Sequence, residues 1–175
     1  MDKPSIELGP PQVLIFGIGG LIFYYGRLEH WIDGAVAAIF NRVPGAQKIK
    51  ARHPTNAAEE IEFLKECLAR IPELSSYRAH GLKIIEKIEH ISDVRHGIAH
   101  GHLRLWDQKN DILEFTRLRR VRKEIRRETL VVSSKQITAS MLYVRDLADA
   151  VRHFAQTLIF EFCTEEERKE FLSTL

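Results

Sequence analysis

A mainly α fold is predicted by three features of this chain. Apolar residues recur at alternating spacings of three and four in long stretches on both sides of a short central segment. In that segment, after Gly101, the period drops to two. Proline and glycine stand where the helical periods stop, at Pro44 and Gly45, at Pro54 and at Pro72. The expected architecture is an antiparallel helical bundle of four long helices and a short C-terminal helix, with a small β-hairpin inserted before the fourth long helix. With 175 residues and 45% hydrophobic content, one domain spanning 1–175 is expected, the hairpin and an adjoining basic segment occupying about 102–136.

The first helix carries Leu21, Tyr25, Leu28, Ile32, Ala35 and Ile39 on one stripe and stops near "NRVPG". Its opening run, "VLIFGIGGLIFYYG", spans residues 13 to 26 and holds four glycines. That is shorter than the roughly 20 apolar residues that cross a bilayer, and no basic region precedes it, so a buried helix is expected and no membrane partner. Its "GIGG" echoes a phosphate-binding loop but lacks the strand–helix alternation that a dinucleotide site needs.

A second helix opens after Pro54 with Asn56 as N-cap and Glu59 three residues on, and is expected to bury Ala57, Ile61, Leu64, Leu68 and Ile71 before Pro72 ends it. The third starts near Ser75 and Ser76 and presents Ile84, Ile88, Ile91 and Ile98. "HLRLWD" and "ILEFTRLR" then read as strands joined by the polar turn "QKND", with "TLVVSS" as a possible third. Helical spacing returns from about Ala139, with Val144, Leu147, Val151, Phe154 and Leu158 inward. Thr164 and Glu167 form a capping-box signature for the last helix.

Charge excludes little by itself: a formal +2 leaves no field that would force the whole chain onto nucleic acid or a membrane, so any basic surface is local. Cys67 and Cys163 lie far apart within apolar helical patterns. They read as reduced core thiols of a cytoplasmic protein, neither of them a nucleophile.

The informative stretch is "ISDVRHGIAHGH", residues 91 to 102. Arg95 falls in the gap of an isoleucine stripe, where a guanidinium needs a carboxylate, a phosphate or a cleft beside it. The bland alternative is an arginine that closes the helix end and reaches outward, supported by Glu29 or Asp93. His100 lies five residues on, about 140° around an ideal helix, so the two side chains meet only if the chain turns near Gly97 and Gly101. His96 and His100, with Glu89 and Asp93, also share a polar stripe at metal-ligand spacing. No second ligand segment accompanies it, and no metal or cofactor is expected; a metal-dependent hydrolase using Asp93, His96 and His100 stands as an alternative.

"RHGIAHG" resembles the signature of the HEPN superfamily (higher eukaryotes and prokaryotes nucleotide-binding domain), in which an arginine is followed after four to six residues by a histidine, often with a polar residue next to the arginine. The layout resembles that family from about residue 12 to 160, with "GRLEHWID" in the first helix, a long motif helix, an inserted hairpin and a closing helix. The resemblance implies a homodimer joined through the motif helix, with Arg95 and His100 as catalytic residues, His96 assisting and His102 nearby. Many such proteins are metal-independent endoribonucleases of toxin–antitoxin or antiphage systems, so RNA and an antitoxin or other protein are the implied partners. Others are inactive nucleotide-, RNA- or protein-binding modules. Histidine suits proton transfer near neutrality, and arginine suits bidentate phosphate contact.

A second feature is "RLRRVRKEIRRE", residues 117 to 128, with seven basic and two acidic residues. Arg117, Arg119, Arg120, Arg122, Lys123, Arg126 and Arg127 are candidate RNA-backbone contacts; a solvated surface or a docking strip for an acidic partner is the alternative.

Overall fold

The structure is a computed structural model that describes residues 12–121 and 124–173. It is mainly helical. Helix α1 is Gln12–Arg42, α2 Ala46–Ile49, α3 Ala57–Arg70 and α4 Arg78–Ala99, with a 3-10 turn at Pro72–Leu74 before α4. Strands β1 His102–Asp107, β2 Ile112–Val121 and β3 Glu124–Val132 follow, then α5 Ser134–Phe162 and α6 Glu165–Ser173. No helix among the described residues is long and apolar enough to cross a membrane.

The chain divides into two compact units, Met1–Phe23 with Asp93–Leu142 and Tyr24–Ser92 with Tyr143–Leu175. In the second unit the expected stripes are all inside. Leu28, Ile32, Ala35 and Ile39 of α1, Ile61, Leu64 and Leu68 of α3, Ile84 and Ile88 of α4, and Val144, Val151 and Leu158 of α5 are buried. Full burial of each such aliphatic side chain contributes about 1.5–3 kcal/mol. Ala57 departs from expectation: it is exposed, because the first turn of α3 lies ahead of the buried stripe that starts at Ile61.

The helix ends are chemically specified. Asn56 Oδ1 accepts the Glu59 amide at 3.0 Å and starts α3, while the Glu59 carboxylate is engaged by Lys50 at 2.7 Å. Thr164 and Glu167 form the expected reciprocal box, with Thr164 N–H donating to Glu167 Oε2 at 2.9 Å and Glu167 N–H to Thr164 Oγ1 at 3.4 Å. Arg42 donates from Nε to Glu167 Oε1 at 2.8 Å, and that hydrogen bond, first among several, draws the carboxyl down to about 2. Gly45, at φ 88°, supplies the left-handed residue that joins α1 to α2.

In the first unit the inserted element is a three-stranded antiparallel sheet in the order β1-β2-β3, not a two-stranded hairpin. The strand expected over "TLVVSS" begins earlier, at Glu124, and pairs along the whole of β2 from Leu113↔Val132 to Val121↔Glu124. The "QKND" turn forms as read: Asp107 Oδ1 accepts the amides of Lys109 and Asn110 at 3.1 Å each. Helix α5 starts five residues before Ala139, because Ser133 and Gln136 make a second capping box, with Ser133 N–H to Gln136 Oε1 at 2.7 Å and Gln136 N–H to Ser133 Oγ at 3.1 Å.

The "GIGG" of α1 is helical throughout. A Cβ on Gly17 would stand 3.2 Å from Ile137, and one on Gly20 would strike Met141. Both glycines therefore admit the side chains of α5, which explains them without any phosphate loop.

Candidate functional site

The motif occupies the last turns of α4 and the first residue of β1, all within the first unit. Ile91 and Ile98 are buried, and Arg95, in the gap between them, is half-buried. His96 is half-buried as well, whereas Asp93, His100 and His102 are exposed. His102 opens β1 opposite Thr116.

Arg95 and His100 meet. Arg95 Nη1 lies 3.2 Å from His100 Nε2, and the rings of His96 and His100 sit 5.8 Å apart at 39°. A guanidinium has no acceptor, so as a hydrogen bond this contact has Nε2 of His100 accepting.

The way they meet differs from the expected turn at glycine. The helix runs unbroken through Gly97 to Ala99, and the His100 amide still donates to the His96 carbonyl at 3.2 Å. Neither Gly97 nor Gly101 takes a positive φ; among the described residues Gly45 is the glycine that does. Gly97 is there for packing, since a Cβ on it would stand 2.6 Å from Leu130 of β3. The angular gap is bridged by the length of the arginine side chain reaching toward a histidine set just past the last helical residue.

Beside the motif, a groove of about 300 Å³ is lined by Asp93, Gly97, Phe115, Arg117, Arg119, Glu128, Thr129 and Leu130. Asp93 therefore faces the sheet's arginines. Glu29 lies in the other unit, where it lines a separate hollow with His30, Asp33, Ala57 and Glu60. There burial, and then the charge of Asp33, pushes the Glu60 carboxyl up. Among the described residues no three His, Cys, Asp or Glu side chains converge as a metal-binding group.

In the basic run, three arginines pair with the two glutamates of the same segment. Arg117 donates to Glu128 from Nε at 2.7 Å, with Nη2 2.6 Å from the same oxygen, and is mostly covered. Arg119 Nη1 reaches the other Glu128 oxygen at 3.3 Å. Arg126 pairs with Glu124 at 3.1 Å. Held by Arg117 first and Arg119 with it, the Glu128 carboxyl sits below the usual carboxylate range. Arg120 lies opposite Ile125 in the ladder, and Arg127 is exposed opposite Leu118. Arg122 and Lys123 lie outside the described residues.

Sequence reasoning missed Glu128 as a partner of two arginines. In the two-stranded ribbon of β2 and β3, Arg117 and Glu128 fall directly opposite. Both cysteines are free; Cys67 is in the core as expected, with burial pushing its thiol up to about 12, whereas Cys163 lies just past α5 and is half-buried.

No family model, curated protein or solved structure matches this chain.

Proposed function

We propose that the chain is a metal-independent endoribonuclease of HEPN type that acts as a homodimer, with Arg95 and His100 as its reactive pair. The observation that carries this reading is the 3.2 Å approach of Arg95 Nη1 to His100 Nε2, with the His96 ring 5.8 Å away. RNA cleavage without a metal requires a base for the 2′-hydroxyl, an acid for the departing 5′-oxygen and a cation for the phosphorane charge. In this reading His100 acts as the base through Nε2. When a phosphate oxygen takes the place of the imidazole on Arg95, the Nε2 lone pair is released to accept the 2′-hydroxyl proton. The 2′-oxygen then bonds to phosphorus, the P–O5′ bond breaks, and the leaving oxygen takes a proton from a second imidazole, His96 or its equivalent on the second copy. The products are a 2′,3′-cyclic phosphate and a 5′-hydroxyl. A toxin or antiphage role in the cytoplasm, with an antitoxin as protein partner, belongs to the same proposal.

One observation favours a second reading, a catalytically silent module that binds RNA or protein. The ribbon arginines are already paired with Glu128 and Glu124, which suits a polar docking surface as well as an RNA track. Purified protein incubated with RNA in excess chelator separates the two. Cleavage that falls by about 10²-fold or more in His100→Ala, the scale of general acid–base catalysis, is the expected result. Intact RNA, bound in a salt-sensitive manner, selects the silent module.

A further inference from the structure

Helix α1 exposes a row of bulky apolar side chains in the first unit. Ile15 is 58% exposed, Phe16 72%, Ile22 47% and Phe23 62%. At 100° per residue these four share one face, and between the pairs on that face sits Gly19, also exposed. Unlike Gly17 and Gly20, which admit side chains of α5, Gly19 has nothing within 4 Å of where its Cβ would be. Glycine weakens a helix interior, and no contact among the described residues requires it here.

The spacing is palindromic. About Gly19, Phe16 and Ile22 stand at three residues on either side, and Ile15 and Phe23 at four. If two copies of α1 cross antiparallel on a twofold axis at Gly19, each flank of the face is matched with itself, so Phe16 of each copy falls beside Phe23 of the other, and Ile15 beside Ile22. Each contact is then made twice, i to j and j to i, as an isologous interface demands. The missing side chain at the centre lets the backbones come together and the flanking pairs interlock. We infer that this face of α1 is a self-association surface whose occupant is the same face of a second copy of the chain.

The area is of the right size. Taking roughly 150–250 Å² for a full aromatic side chain, the row offers about 500 Å² per copy, so two copies bury about 1,000 Å², the lower bound for a specific interface. The motif itself has no such resource: among the described residues of 93–102, no large apolar side chain is exposed. The inference stands without the ribonuclease reading, because the mass of the particle reports on the α1 face and RNA cleavage reports on Arg95 and His100.

The test is light scattering or sedimentation over a range of concentrations on the full chain, with circular dichroism alongside. Gly19→Leu and Phe16→Glu are expected to have half the particle mass of wild type with unchanged helicity, since both positions are exposed. Gly19→Cys, placed on the twofold axis, is expected to form a disulfide between copies under mild oxidant, whereas wild type with only its native cysteines does not. A monomeric wild type overturns the inference. So does a dimer that all three substitutions leave unaltered, or a wild-type monomer that instead binds vesicles of zwitterionic lipid.

Discussion

The end of α4 and the β2–β3 ribbon both draw on arginine, yet they place it in opposite circumstances. Arg117 and Arg119 share one carboxylate, Glu128, in charge-assisted hydrogen bonds that offset one of their two charges. Arg95 meets the imidazole of His100, a group that can itself accept and give protons. A run of seven basic residues is therefore not a field of seven independent charges.

Removing Arg95 is expected to have the largest effect on that contrast. Arg95→Ala should lower chelator-resistant RNA cleavage by about 10²-fold, the scale for losing one transition-state donor, while circular dichroism stays as in wild type. Arg95→Lys should restore little, because an ammonium does not reproduce the planar fork. A variant that loses helicity would mark Arg95 as a structural residue.

A smaller effect of opposite sign is expected at the ribbon. Glu128→Gln frees Arg117 and Arg119, so RNA should bind more tightly and with a steeper salt dependence, by one to two phosphate contacts or a slope change of about 1–2. Arg119→Ala should flatten the same plot by about 1. Unaltered binding in both variants would assign the ribbon to a solvated or protein-facing role.

The smallest expected effect is one of pH. The folded-state pKa of Glu128 is depressed, chiefly by the Arg117 hydrogen bond, so its contribution to stability is complete above the ordinary carboxylate value and is lost as the pH falls through the depressed one. Glu167, drawn down to about 2 by Arg42, follows the same sign over a lower window. Acid titration of wild type against Glu128→Gln should therefore show thermal stabilities that converge as the pH drops below the carboxylate range. Curves that stay parallel to strongly acid pH would show that Glu128 contributes nothing through its charge.

The helical stripes were legible because their period is local: Leu28, Ile32 and Ile39, or Val144, Val151 and Leu158, declare a buried face by spacing alone. The approach of Arg95 to His100 was legible as a motif but not as a geometry. Backbone angle separates the two residues, and side-chain length, which helical phase does not record, brings them together. The third strand was read at "TLVVSS", but its start at Glu124 was obscured because its first residues are mostly charged and exposed and carry no alternating apolar signal. The early start of α5 was missed although Ser133 opens a box with Gln136 three residues on, a local signal that identifies the helix start. Glu128 was hidden because strand register, and so the partner of Arg117, depends on where the ribbon turns.

The central claim is that His100, beside Arg95, removes the 2′-hydroxyl proton of an RNA substrate. Its most direct measurement is the end chemistry of cleavage in excess chelator, comparing RNA with the same sequence carrying 2′-O-methyl groups. The account predicts fragments ending in a 2′,3′-cyclic phosphate from the first and an uncut second strand. Equal cutting of both substrates, or fragments ending in a 3′-hydroxyl, would contradict it.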